Sequence, residues 1–172
     1  MQSLVTLKAV LDRIDGDSFE SLEGRITFQK RVYLVQALGL DLGYRFSWNQ
    51  YGPYSSELAQ DALLLEAGLG DKAGLKEELR FTSTAERRIS AFTDLAQPPA
   101  GISQAAWLEL LSSLHYLATS SGLSALPEDK AARKEINDRL LSTKPYLEGH
   151  EDLLDQGWDR LEHAIRGSLA AA

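Results

Sequence analysis

The 172-residue chain has no cysteine, one methionine and three histidines. Lack of cysteine rules out a disulfide framework, a thiolate zinc site, an iron–sulfur cluster and a cysteine nucleophile. With only five prolines and 13 glycines, collagen-like repetition and low complexity are excluded as well. Long apolar runs are missing. Lys8, Asp12 and Arg13 interrupt Leu4 to Ile14 before a signal-peptide core can form, and later apolar stretches are cut by charge within a few turns. The expectation is a cytoplasmic protein with no membrane partner. Basic residues are outnumbered, 18 against 25 acidic, and the net charge of −7 repels nucleic acid unless a local patch overrides it. What remains is a 44% hydrophobic chain, of a size for one domain with at most a helical annex.

The spacing predicts helices. Leu4, Leu7, Leu11 and Ile14 line one face of a first helix, and Phe28, Val32 and Val35 with Ile26, Tyr33, Leu34 and Leu38 fill most of the circumference of a second, central one. Tyr44, Phe46 and Trp48 alternate with Arg45, Ser47 and Asn49, the signature of a strand or extended arm. Tyr51-Gly52-Pro53-Tyr54 reads as a turn, with Ser55 or Ser56 capping a helix to about Ala67. Leu79 to Thr82 reads as a short strand, and Ser83 with Glu86 as a capping box before a fourth helix. The break Gln97-Pro98-Pro99-Ala100-Gly101 separates residues 1–96 from 102–172, where three further helices are expected. The fold class expected is therefore mainly α. Residues 1–96 would form a winged-helix-like core, a helix-turn-helix with a small β wing at Leu79 to Thr82, and residues 102–172 a three-helix annex packed on it.

Four segments carry a resemblance. Lys30-Arg31-Val32-Tyr33-Leu34-Val35-Gln36, Leu42-Gly43-Tyr44-Arg45-Phe46, Tyr51-Gly52-Pro53-Tyr54-Ser55-Ser56-Glu57-Leu58 and Leu79-Arg80-Phe81-Thr82 resemble the YwgA-like family of small bacterial proteins. More distantly they resemble the Panacea antitoxin domain. The match covers Arg25 to Leu95, and the chain from Ile102 onward lies outside it. The resemblance implies a winged-helix-like domain in settings of toxin neutralisation, phage defence or regulation, and it carries over no catalytic residue.

Candidate sites follow from residue type. Trp48, Asn49, Gln50, Tyr51 and Tyr54 form an aromatic turn that can offer a stacking platform, against the commoner role of such clusters as core. Arg25, Lys30, Arg31 and Arg45 form a candidate basic face for phosphate, although the next helix has no Lys or Arg with which to read guanine. His163 with Asp159, or His150 with Glu151, can be drawn as metal pairs, but a surface ion pair is the ordinary role of such neighbours, and neither metal nor cofactor is expected. The acidic flank of Glu148, Glu151, Asp152, Asp155, Asp159 and Glu162 can mimic nucleic acid or bind a basic partner, against the commoner role of such a flank as a solvated helix face. No catalytic constellation stands out. The expectation is a non-enzymatic regulatory or protein-interaction module with a protein partner, antitoxin-like or defence-associated; a DNA-binding transcription regulator is the alternative, nucleic acid being disfavoured by charge.

Overall fold

The computed structural model describes residues 4–15, 21–69, 80–120 and 126–169. Its elements are α1 (Leu4–Arg13), α2 (Leu22–Ala37), β1 (Ser47–Asn49), β2 (Gly52–Tyr54), α3 (Ser56–Glu66), α4 (Ser83–Leu95), α5 (Gln104–Ser120), α6 (Lys130–Thr143) and α7 (Glu151–Leu169), with a 3-10 turn at Pro145–Leu147. The protein is mainly helical, as the periodicity predicts. No helix among the described residues is long and apolar enough to cross a membrane.

Four helices, α2, α3, α4 and α6, start where a side-chain oxygen takes up a backbone amide that the helix itself leaves unpaired. Ser21 Oγ accepts from the Gly24 amide, Ser55 Oγ from Leu58, and Asp129 from both Ala131 and Ala132. For α4 the cap is Thr82, whose Oγ1 accepts from the Ala85 amide. The expected capping box of Ser83 with Glu86 is therefore corrected. Glu86 is drawn instead to Arg13 of α1, which forms a bidentate pair with it.

The core is built around α5. One face of it meets α2 and the hairpin, and the other meets α6 and α7. Trp107 is fully buried and donates its indole N–H to the Leu95 carbonyl at 2.8 Å. Burying such a ring contributes roughly 4–6 kcal/mol, provided its one polar atom is satisfied. Trp158 of α7 does the same through Asn137 Oδ1 at 2.9 Å. Gly157 sets the distance between α7 and α5, because a Cβ there would stand 2.9 Å from Leu114 Cδ1.

Two local expectations fail, the turn at Tyr51 to Tyr54 and the β wing, while the segment read as a strand or extended arm is a strand in part. Only Ser47–Asn49 of the alternating segment is a strand, pairing antiparallel with Gly52–Tyr54 in the register Asn49 to Gly52 and Ser47 to Tyr54. Gly52 and Pro53 thus lie in a strand, and the turn is Gln50-Tyr51. Upstream, Tyr44 finds its backbone partner in a side chain: Gln36 accepts from the Tyr44 amide at 3.0 Å and donates to its carbonyl at 2.9 Å. An amide on α2 replaces the neighbouring strand. The wing expected at Leu79 to Thr82 is not a strand over Arg80 to Thr82, where Thr82 is committed to capping α4; Leu79 lies outside the described residues.

Candidate functional site

The hairpin is held from below by buried polar groups, and this decides what it can present. On α2, Gln29 is 4% exposed and bonds Ser55 twice, accepting from its amide and donating to its carbonyl, both at 2.9 Å. Lys30, 2% exposed, donates to the Pro53 carbonyl at 2.7 Å. From the opposite side, Lys144 pairs with Glu109 and reaches the Gln50 carbonyl at 3.5 Å, while Tyr146 donates to the same Glu109 carboxylate at 2.9 Å. Burial pushes the Lys30 amine down to about 7; Glu109 opposes that shift and Lys144 adds to it. Turned onto the Pro53 carbonyl, the buried Lys30 amine acts as a hydrogen-bond donor more than as a fixed positive charge.

Between α2, the hairpin and α3 lies a cleft of about 500 Å³. The α2 wall presents Leu22, Arg25, Ile26 and Phe28; the α3 wall presents Ala59, Ala62, Leu63 and Glu66. Asn49, Gln50, Tyr51 and Tyr54 close it from the hairpin. Its size and mostly apolar walls with a few polar groups are those of small-molecule pockets. Leu22 and Leu63 stand at its mouth, 66% and 62% exposed. Exposed leucines on two facing helices are the signal that sequence reading passed over. Leu63 sits off the inward stripe of α3, beside Leu58 and Ala62, which are buried.

The candidate residues separate. Of the aromatic turn, Asn49, Gln50, Tyr51 and Tyr54 line the cleft, whereas Trp48 points to the core side, its ring 5.7 Å from that of Tyr116 on α5. The basic face is corrected. Lys30 is spent on Pro53, and Arg31, 8% exposed, donates to the Ile14 carbonyl and to Gln104, so neither is presented to phosphate. Arg25 lines the cleft, and Arg45 is exposed outside it. Asp159 meets Arg133 rather than His163, at 3.3 Å. No group of three His, Asp or Glu among the described residues can hold a metal ion.

His115 takes part in a separate structural contact. Its Nδ1 lies 2.7 Å from the Tyr33 hydroxyl, and burial lowers its pKa to about 4. The His115 ring meets that of Tyr33 edge-on with centroids 5.6 Å apart, and Phe46 and Tyr116 also pack on Tyr33.

No family model matches the chain, and no solved structure matches it. A relative from Thermus aquaticus, named a DNA ADP-ribosyl glycohydrolase, is 31% identical over 113 residues, a match covering 58% of this chain and 31% of that protein. The chain thus spans about a third of that relative's length. This similarity overturns the expectation of a non-enzymatic regulatory module, and with it the transcription-regulator alternative, because the relative is named for an enzymatic activity on DNA.

Proposed function

We propose that the chain acts in the removal of ADP-ribose from DNA, and that the cleft between α2, the hairpin and α3 holds part of the ADP-ribosylated nucleotide. The observation that supports this reading is the similarity to a protein named DNA ADP-ribosyl glycohydrolase. The reaction named cleaves the bond between the anomeric carbon of the ribose and the DNA atom that carries it. Water adds to that carbon, the bond to DNA breaks with its electron pair going to the DNA atom, and a proton follows. A carboxylate serves such chemistry by accepting the water's proton or by facing the cationic sugar as the bond opens. Glu66 is the one acid lining the cleft among the described residues. Tyr51 and Tyr54 supply flat faces for a ring, and the buried bonds beneath the hairpin fix those faces before the ligand arrives.

We further propose the YwgA-like relationship and a division of the chain at residues 97–101, for which the Pro98-Pro99 break between α4 and α5 speaks. The functional reading is tested by incubating the chain with an ADP-ribosylated oligonucleotide and following both its retention on the protein and the release of ADP-ribose. Retention with release supports it. Equal behaviour of modified and unmodified oligonucleotides, with no release, would sink it.

A further inference from the structure

We infer that the cleft takes a neutral flat heterocycle, a nucleobase, and leaves the phosphates of the ligand outside. This deepens the reading above and rests on the cleft being where the nucleotide is held.

Shape and chemistry of the walls point the same way. Ile26 and Leu63 offer apolar surface from the two helices, and Tyr51 and Tyr54 offer ring faces from the hairpin. Every base has a π face that such a slot can stack, whereas a pyrophosphate gains nothing from it. About 500 Å³ leaves room for a base with its attached sugar.

Charge argues against phosphate. Arg25 and Glu66 both line the cleft and carry opposite signs, so the walls give no strong positive field to replace the hydration of two phosphates. The other cation among the lining residues, Lys30, has its amine turned onto the Pro53 carbonyl. Burial leaves that amine only partly protonated near pH 7, with Glu109 and Lys144 acting on it in opposite senses.

The hairpin also supplies a polar edge. Asn49 accepts the Gln50 amide through Oδ1 at 2.7 Å, which orients its amide so that the NH₂ end remains as a donor. A base edge presents ring nitrogens and carbonyl oxygens that suit such a donor. Gln50, exposed beside it, can both donate and accept.

The experiment is a titration of the whole chain, followed by tyrosine fluorescence and by NMR, with adenosine, thymidine, ribose 5-phosphate, pyrophosphate and ADP-ribose as separate probes. At least one nucleoside is expected to bind and to compete with ADP-ribose, while ribose 5-phosphate and pyrophosphate do not. Adenosine against thymidine tells whether the base is that of the ADP-ribose or that of the DNA. Tyr51, at 39% exposure, can be replaced without opening the core, and Tyr51→Ala should weaken the nucleoside roughly fivefold to a hundredfold with an unchanged circular dichroism spectrum. Raising salt from about 50 to about 500 mM should change nucleoside affinity by less than about twofold. Competition by pyrophosphate or ribose 5-phosphate with no binding of either nucleoside would overturn the inference, as would wild-type affinity in Tyr51→Ala. If the nucleosides bind but an ADP-ribosylated oligonucleotide does not, the base site stands and the proposed function falls. If the oligonucleotide is bound and neither nucleoside displaces it, the reverse holds.

Discussion

The hydroxyl of Ser113 lies 2.6 Å from the point where a Cβ on Gly52 would stand, so α5 and the hairpin approach more closely than any other residue at position 52 permits. Gly52 also has φ of +89°, a backbone region that side chains disfavour. Gly52→Ala should therefore cost about 2–4 kcal/mol through strain and the displaced hairpin. Chemical denaturation measures it, and a loss below about 1 kcal/mol would mean that the hairpin does not sit on α5 in this way. Ser113 Oγ itself is buried without a hydrogen-bond partner, so Ser113→Ala should be neutral or stabilise by up to about 1 kcal/mol. Clear destabilisation would show that the hydroxyl has a partner.

Burial of His115 beside Tyr33 makes stability depend on pH. His115 is held neutral when folded, with a value of about 4 against an ordinary 6.5. The unfolded chain then binds the extra proton first, so the stabilisation is whole above about pH 6.5 and is lost as pH falls towards 4, on the order of 3 kcal/mol in all. Lys30 acts with the same sign higher up, adding stability as pH rises from about 7 towards 10.5. His115→Asn keeps an acceptor near the position of Nδ1 and cannot titrate. The difference in unfolding free energy between the two proteins should shrink as pH falls from 7 to 4; a constant difference would remove His115 from the titration.

Trp48 separates core from cleft. It is half-buried against Tyr116 and is not among the residues that line the cleft. Trp48→Ala should lower stability by about 2 kcal/mol, less than a fully buried ring would cost, and leave nucleoside affinity within about twofold. Thermal melting and the titration are read together. A tenfold loss of affinity at unchanged melting temperature would move Trp48 into the site.

How far the sequence was legible depended on what each signal measures. Hydrophobic spacing located the helices because one-sided burial repeats every three to four residues, and α4 and α7 show it plainly. It located α2 as a central helix too, but not the burial of Gln29, Lys30 and Arg31 within the unbroken buried run Phe28 to Val35. Lys30 and Arg31 read as half of a basic face with Arg25 and Arg45, and Gln29 as a polar position; in the fold Gln29, Lys30 and Arg31 satisfy the carbonyls of Ser55, Pro53 and Ile14. That demand comes from chain segments 17 to 26 residues away, which local pattern does not encode. The turn, expected at Tyr51 to Tyr54, lies at Gln50-Tyr51 for a related reason. Gly52-Pro53 is a strong turn signal, but the close approach of Ser113 and the bond from Lys30 use the same glycine and proline to seat a strand. Half of the cleft was visible as the aromatic turn. The α3 half was not, because Leu63 and Glu66 look like ordinary helix residues until α2 is set opposite them.

Glu66 is the residue on which the proposed chemistry turns. Glu66→Gln keeps size and polarity and removes the carboxylate, so release of ADP-ribose should slow about a hundredfold or more while the oligonucleotide is still retained. Equal loss of retention and of rate would make Glu66 a binding group instead.

The most direct measurement of the central claim is the time course of ADP-ribose release from an ADP-ribosylated DNA oligonucleotide, with wild-type chain beside Tyr51→Ala and Glu66→Gln. The expected result is release by the wild type that is slowed in both variants, through weaker retention in the first and a slower step in the second. Release that is absent from the wild type, or identical in all three proteins, would contradict the assignment of this cleft to ADP-ribosylated DNA.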